Sequence, residues 1–150
     1  MMAQIGVWES DETLSFELRK LLPAGAVVSN HPAAFSQDLF DLILIAPTAS
    51  GWAGINRVEC KTALLPGSFL PLTRGLKAES AVSYGVAPRN TLTLSSLDPQ
   101  QIGVALQRKI TAMDGTLLEE QEFLLSLPPD ADPTWFLCLT GARLLLTGKP

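Results

Sequence analysis

The sequence predicts an α/β fold: a Rossmann-like parallel sheet of about five strands with flanking helices, followed by an antiparallel β-meander and a C-terminal helix. Three observations predict it. Between Gln4 and Ala46, short apolar runs alternate with helix-spaced segments, giving strand, helix, strand, helix, strand. From Asn90 the pattern becomes strict alternation, with Leu92 and Leu94 set between Thr91, Thr93 and Ser95. Met113-Asp114-Gly115 then stands between two extended runs, and Asp-Gly in that position signals a hairpin.

Taken in order, Gln4–Trp8 is a short apolar first strand. Ser10 or Asp11 is placed to cap the next helix, and Asp11 and Glu12 fall in its first turn, where the helix dipole favours acids. Leu14, Leu18, Leu21 and Leu22 recur at mainly helical spacing with Phe16 nearby, until Pro23 and Gly25 stop the helix. Ala26–Ser29 is a second strand, and Pro32 suits the start of a short helix over Ala33–Phe40. Asp41–Ala46 is almost wholly apolar and closed by Pro47, as expected of a central parallel strand buried on both faces. A short helix is expected at Ile55–Glu59.

The stretch from Cys60 to Ser96 organises the chain. Thr62–Leu65 and Ala81–Tyr84 read as the fourth and fifth strands, ending in turn signals at Pro66-Gly67 and Gly85, with a crossover helix between them. Ile102–Thr111 and Thr116–Leu127 supply the antiparallel runs, with Glu119, Glu120 and Glu122 forming a solvated acidic face. Pro128-Pro129 ends the sheet, and Asp132-Pro133 starts a last helix over Thr134–Thr147. That helix is apolar nearly all round, so burial is expected, with Trp135, Phe136, Leu139 and Leu146 in the core. The chain reads as one domain of residues 1–150, with 1–89 the parallel half and 90–150 the antiparallel tail and final helix.

Composition narrows the partners. Only 17% of the 150 residues are charged while 47% are hydrophobic. Soluble domains average about 25% charged, so exposed apolar surface is expected, and with it a protein partner or a homo-oligomer. The net charge is −4, and no basic cluster exceeds Arg19-Lys20 or Arg108-Lys109, which argues against nucleic acid. No apolar run approaches the ~20 residues of a membrane span. The start, MMAQIGVWESDE, lacks the basic and apolar regions of a signal peptide. A cytoplasmic location is therefore expected, with Cys60 and Cys138 as reduced core thiols.

Several chemistries lack their residues. The one Gly-Lys pair, Gly148-Lys149, follows a helix, whereas a phosphate loop precedes one. No G-x-G-x-x-G follows the first strand. Receiver domains of response regulators need an aspartate after the third strand and a lysine after the fifth; Ala46-Pro47 and Tyr84-Gly85 stand there. The single histidine, His31, precedes Pro32 in a turn, so neither a zinc site nor a Cys–His dyad is expected. Glu9 and Asp11 could bind a divalent cation at the end of the first strand, but helix capping explains them as well and is the expectation. No catalytic residue, cofactor or metal is expected.

What remains is the edge where open α/β sheets bind ligands, the carboxyl ends of the strands. It collects Glu9, Asn30, Thr48, Ser50, Gly67, Ser68, Tyr84 and Gly85, with Arg74 and Arg89 nearby. The candidate ligand-binding residues are Gly67, Ser68, Tyr84, Gly85 and Arg89. The turn glycines would form a floor that a ligand can approach closely, with Tyr84 and Arg89 at the rim. Arg89 makes a small anion the expected ligand, and Arg89-Asn90 is otherwise a solvated turn.

Ser83-Tyr84-Gly85, the strands from Thr91 to Leu127 and the helix from Asp132 resemble the end of the central domain of Mur-type ligases. There a strand ending in a Tyr/Phe-Gly pair leads into a small antiparallel meander and then a helix. The resemblance covers less than half of the chain. Those ligases carry a Gly-rich phosphate loop with Lys and Thr/Ser after the first strand, where this chain has Trp8-Glu9-Ser10-Asp11. The resemblance thus implies a version without ATP-dependent ligation. Two functional expectations follow: a non-catalytic protein-interaction or self-association module, or alternatively a domain that binds, or acts on, a small anionic ligand at the strand ends.

Overall fold

The computed structural model describes residues 4–22, 27–29, 39–49, 58–68 and 76–150. In chain order the elements are β1 (Gln4–Trp8), α1 (Thr13–Leu18), β2 (Val27–Ser29), β3 (Leu39–Ile45), β4 (Val58–Pro66), β5 (Leu76–Tyr84), β6 (Leu92–Leu97), β7 (Gln101–Leu106), β8 (Ile110–Thr111), β9 (Leu117–Leu118), β10 (Gln121–Ser126) and α2 (Pro133–Thr147). Eight strands make one sheet in the order β2-β1-β3-β4-β5-β6-β7-β10. The pairs from β2 through β6 are parallel, and β7 and β10 are antiparallel. The fold is α/β, with a mostly parallel sheet and a C-terminal helix packed on it.

The strands reach further than the apolar runs do. β3 begins at Leu39, so Leu39 and Phe40 are strand rather than the end of a helix; the remainder of that expected helix lies outside the described residues. Phe40 is fully buried and pairs with Cys60, a partner that helical spacing cannot reveal. Val58 and Glu59, expected to end a short helix, open β4 instead. β5 starts at Leu76, and its first half carries exposed Lys77, Glu79 and Ser80, held in the sheet by their ladder with β4. The expected crossover helix falls mainly on residues 69–75, outside those described, and on Leu76–Ser80, which are strand.

The tail also differs from expectation. β6 runs parallel to β5, and the two share a single register pair, Tyr84↔Leu92. β6 therefore continues past the end of β5 in the same direction. A full parallel pair needs a crossover of a dozen or more residues, but this offset is spanned by residues 85–91 alone. Alternation identifies a half-buried strand without giving its direction, so the antiparallel reading of β6 towards β5 is corrected here. The β6–β7–β10 strands extend the main sheet, and only the two-stranded β8–β9 pair, around the Asp114-Gly115 turn, stands apart. Asp114 Oδ1 accepts from the Thr116 N–H at 2.8 Å, and Gly115 has φ +90°.

Two details position the helices and the sheet. β6 bulges between Leu94 and Ser96, and Gly103 lies opposite, where a Cβ would collide with the hydroxyls of Ser95 and Ser96. α2 packs across β4, β5 and β6. A Cβ at Gly141 would lie 2.9 Å from Cδ1 of both Leu64 and Leu92, so this glycine sets the close approach of helix to sheet. Leu14 and Leu18 of α1 join the same core as α2, with Ile5, Val7, Leu42 and Leu44. Strand alternation turns Trp8, Ile43, Ile45 and Ala63 to the opposite face, where they too are buried. Within α2, Phe136 and Leu139 are buried as expected; Trp135 and Leu146 are half-buried, and Leu137, Cys138, Ala142 and Leu144 are the fully covered positions.

Candidate functional site

The C-terminal ends of β4 and β5, the link to β6 and the first turn of α2 surround a cavity of about 180 Å³. Gly67, Ser68, Tyr84, Gly85 and Arg89 all line it, together with Pro66, Val86, Ala87, Asn90 and Thr134. The convergence follows from the ladder. Pro66 pairs with Tyr84, and the Gly67 N–H donates to the Tyr84 carbonyl at 2.9 Å, so both turns leave the sheet at the same level. The Gly85 N–H in turn donates to the Leu92 carbonyl at 3.1 Å.

Asn90 holds the two turns together. It is 3% exposed, where the sequence suggests a solvated turn. Its Nδ2 donates to the Ala87 carbonyl at 2.9 Å, and its Oδ1 lies so close to Gly67 that no Cβ fits there. A Cβ on Gly85 would come within 2.9 Å of Asn90 Nδ2. Both glycines are thus needed for the approach of one asparagine, which the sequence reading missed. The available signal was the pair of glycines ending adjacent strands, each of which needs a neighbour pressed against it.

The loop is braced from outside as well. Gln107 Nε2 donates to the Asn90 carbonyl at 2.6 Å. Arg108 donates through Nη2 to the Arg89 carbonyl at 3.0 Å and through Nη1 to Thr91 Oγ1 at 3.3 Å. The Thr91 N–H donates to Ser83 Oγ at 3.0 Å, and Thr93 Oγ1 donates to the Ala87 carbonyl at 3.3 Å. These bonds hold the loop in one arrangement before any ligand arrives. Among the described residues no carboxylate pairs with the exposed Arg89 guanidinium, and Arg108 meets only neutral oxygens. Positive charge therefore stands at the mouth without an ion-pair partner among the described residues.

Tyr84 is not at the rim. It is fully buried, and its hydroxyl donates to the Ile45 carbonyl at 2.6 Å. Burial, and secondarily the neighbouring Cys138, push its pKa far above the usual tyrosine range. Its hydroxyl is committed to the core, so Tyr84 contributes floor and not a ligand-orienting group. Burial also pushes the Cys138 and Cys60 thiols up to about 12 each, so both are protonated near neutral pH.

The remaining strand-end residues lie elsewhere. The Glu9 carboxylate accepts from the Leu14 N–H at 2.8 Å, from the Ser15 N–H at 2.9 Å and from the Ser15 hydroxyl. Asp11 Oδ1 accepts from the Thr13 N–H at 3.2 Å. The N-cap position itself is Glu12, without a side-chain bond, rather than Ser10 or Asp11. The sheet order turns between β1 and β3, the crevice where open α/β sheets commonly hold a ligand. Here the chain's own carboxylate fills the first N–H groups of α1. Thr48 is exposed in the turn after β3 and does not line the cavity. Asn30, His31, Ser50 and Arg74 lie outside the described residues.

Among the described residues, no group of three His, Cys, Asp or Glu side chains is placed to hold a metal ion, and no helix is long and apolar enough to cross a membrane. No family model matches the chain, nor does any curated protein or solved structure, so its function is read from this geometry.

Proposed function

We propose that this chain is a Rossmann-like ligand-binding domain that takes a small anion at the C-terminal ends of β4 and β5. The observation that carries the reading is the Arg89 guanidinium, paired with no carboxylate among the described residues, at the mouth of a braced cavity. A guanidinium offers a carboxylate two parallel charge-assisted hydrogen bonds. Ser68 and Thr134 add hydroxyl groups on the same cavity wall. At about 180 Å³ the cavity has the volume of roughly six water molecules. Sites for drug-sized ligands span about 300–1,000 Å³, so a small acid suits this cavity and a nucleotide does not. ATP-dependent ligation is not part of the proposal, because Glu9 occupies the helix start where a phosphate would sit. The reading is binding rather than reaction: among the described lining residues only Tyr84 and Arg89 titrate, and Tyr84 is protonated and buried.

The test is a titration with acetate, lactate and inorganic phosphate, followed through the backbone amide resonances of Gly67 and Gly85. Wild-type protein is expected to saturate with at least one probe. Arg89→Ala is expected to weaken that binding tenfold or more while leaving the unfolding midpoint unchanged. No saturation in the wild type, or equal binding by the variant, would show the reading to be wrong.

A second reading, self-association, is favoured by the outermost strand. β10 ends the sheet, and its Leu124 is 66% exposed. With the formal charge at −4, neither nucleic acid nor an anionic membrane surface is proposed as a partner.

A further inference from the structure

Resting on the ligand-binding reading above, we infer that the ligand is a small carboxylic acid with a hydroxyl or amino group beside the carboxylate, and that Asn90 recognises that neighbouring group. Asn90 lines the cavity and is 3% exposed. Its Nδ2 is satisfied by the Ala87 carbonyl at 2.9 Å, which also fixes the amide orientation, since the reverse would set oxygen against oxygen. Its Oδ1 accepts no hydrogen bond from any described residue. Buried side-chain amide oxygens nearly always have a donor.

Three of the neighbouring N–H groups are already committed. Gly67 N–H goes to the Tyr84 carbonyl, Gly85 N–H to the Leu92 carbonyl and Asn90 N–H to the Ala87 carbonyl. A donor to Asn90 Oδ1 is then supplied by what enters the cavity, water in the free protein and an O–H or N–H of the ligand in the complex. The site then presents a cationic donor, Arg89, and a neutral acceptor, Asn90 Oδ1, from adjacent residues of one braced loop. A simple carboxylate satisfies only the first. An acid with an O–H or N–H on the adjacent carbon satisfies both, and a site built to bond such a group discriminates strongly against analogues that lack it.

Propionate, lactate and alanine share a three-carbon skeleton and differ in that one group, which makes them the probes. Each is titrated into the wild-type protein with the Gly67 and Gly85 amide resonances as readout. Lactate or alanine is expected to bind at least tenfold more tightly than propionate; a preference for lactate assigns the hydroxyl and a preference for alanine the amino group. In Asn90→Ala the preference is expected to shrink to less than twofold, provided the variant keeps a native amide spectrum. The wild-type comparison decides the matter even where that variant does not fold. Equal affinities for all three would overturn the inference and leave the anion site standing. Failure of all three to saturate would overturn the inference; the anion site falls with it only where acetate and inorganic phosphate fail as well.

Discussion

Tyr84 and Asn90 are two buried polar residues at the same end of the sheet, and they differ in what satisfies them. The Tyr84 hydroxyl bonds the Ile45 carbonyl across the sheet, so Tyr84→Phe leaves that carbonyl without its donor. An unsatisfied buried acceptor costs about 1–3 kcal/mol. Urea denaturation of Tyr84→Phe is expected to show a loss in that range, and an unchanged midpoint would mean that water replaces the hydroxyl. The thiols make a second prediction at this scale. Cys60 and Cys138 are held near 12 in the folded protein against an ordinary value of 9.0. The native state keeps protons that the unfolded chain loses, so their contribution is complete below pH 9 and is lost as pH rises towards 12. The slope is at most about 1.4 kcal/mol per pH unit for each thiol. Denaturation midpoints measured from pH 8 to pH 11 should fall, and Cys60→Ala should fall less steeply. A flat profile would contradict this account.

At the scale of elements, α2 determines whether the sheet has a core. Asp132 accepts the Thr134 N–H at 3.3 Å, Pro133 follows it, and Gly148 closes the helix at φ +76°. Loss of such an N-cap costs about 0.5–2 kcal/mol, so Asp132→Ala is expected to lower stability by roughly 1 kcal/mol in a denaturant titration. Removing the whole helix is a different matter. Leu137, Leu144 and Leu145 are each at most 1% exposed. Each such side chain contributes roughly 1.5–3 kcal/mol on burial, against about 5–15 kcal/mol for a whole domain. A chain ending at Pro129 should show no cooperative thermal transition by calorimetry; a sharp transition there would mean that α2 is dispensable.

At the scale of the whole molecule, the sheet is one surface with two ends of different character. β2 at one end is three residues long, while β10 at the other runs from Gln121 to Ser126 with Leu124 turned to solvent. An edge strand offers unpaired backbone groups to another chain, and an exposed leucine on it adds apolar surface. If β10 supports self-association, light scattering of the wild type should give a mass that rises with concentration, and Leu124→Lys should return it to the monomer value. A wild-type mass equal to one chain at all concentrations would remove that reading and leave the ligand site untouched.

Much of this arrangement is local and so was legible in the sequence. The caps and apolar spacing of α2, the Asp-Gly turn and the apolar centres of β1, β3, β4 and β5 all depend on neighbours within a few residues. Gly67, Ser68, Gly85 and Arg89 were legible for the same reason, since turn glycines after apolar runs mark strand ends, and successive parallel strands bring those ends together. What the tertiary structure alone decided depends on contacts between distant residues. The polar half of β5 is strand because β4 pairs with it. β6 is parallel because it starts where β5 stops. Tyr84 is floor because the core around Cys138 of α2 covers it and Ile45 takes its hydroxyl. Asn90 leaves solvent because two glycines, distant from each other in sequence, open the one place where its side chain fits. Propensity and periodicity describe single segments, whereas burial of a polar side chain is settled by whichever segments pack around it.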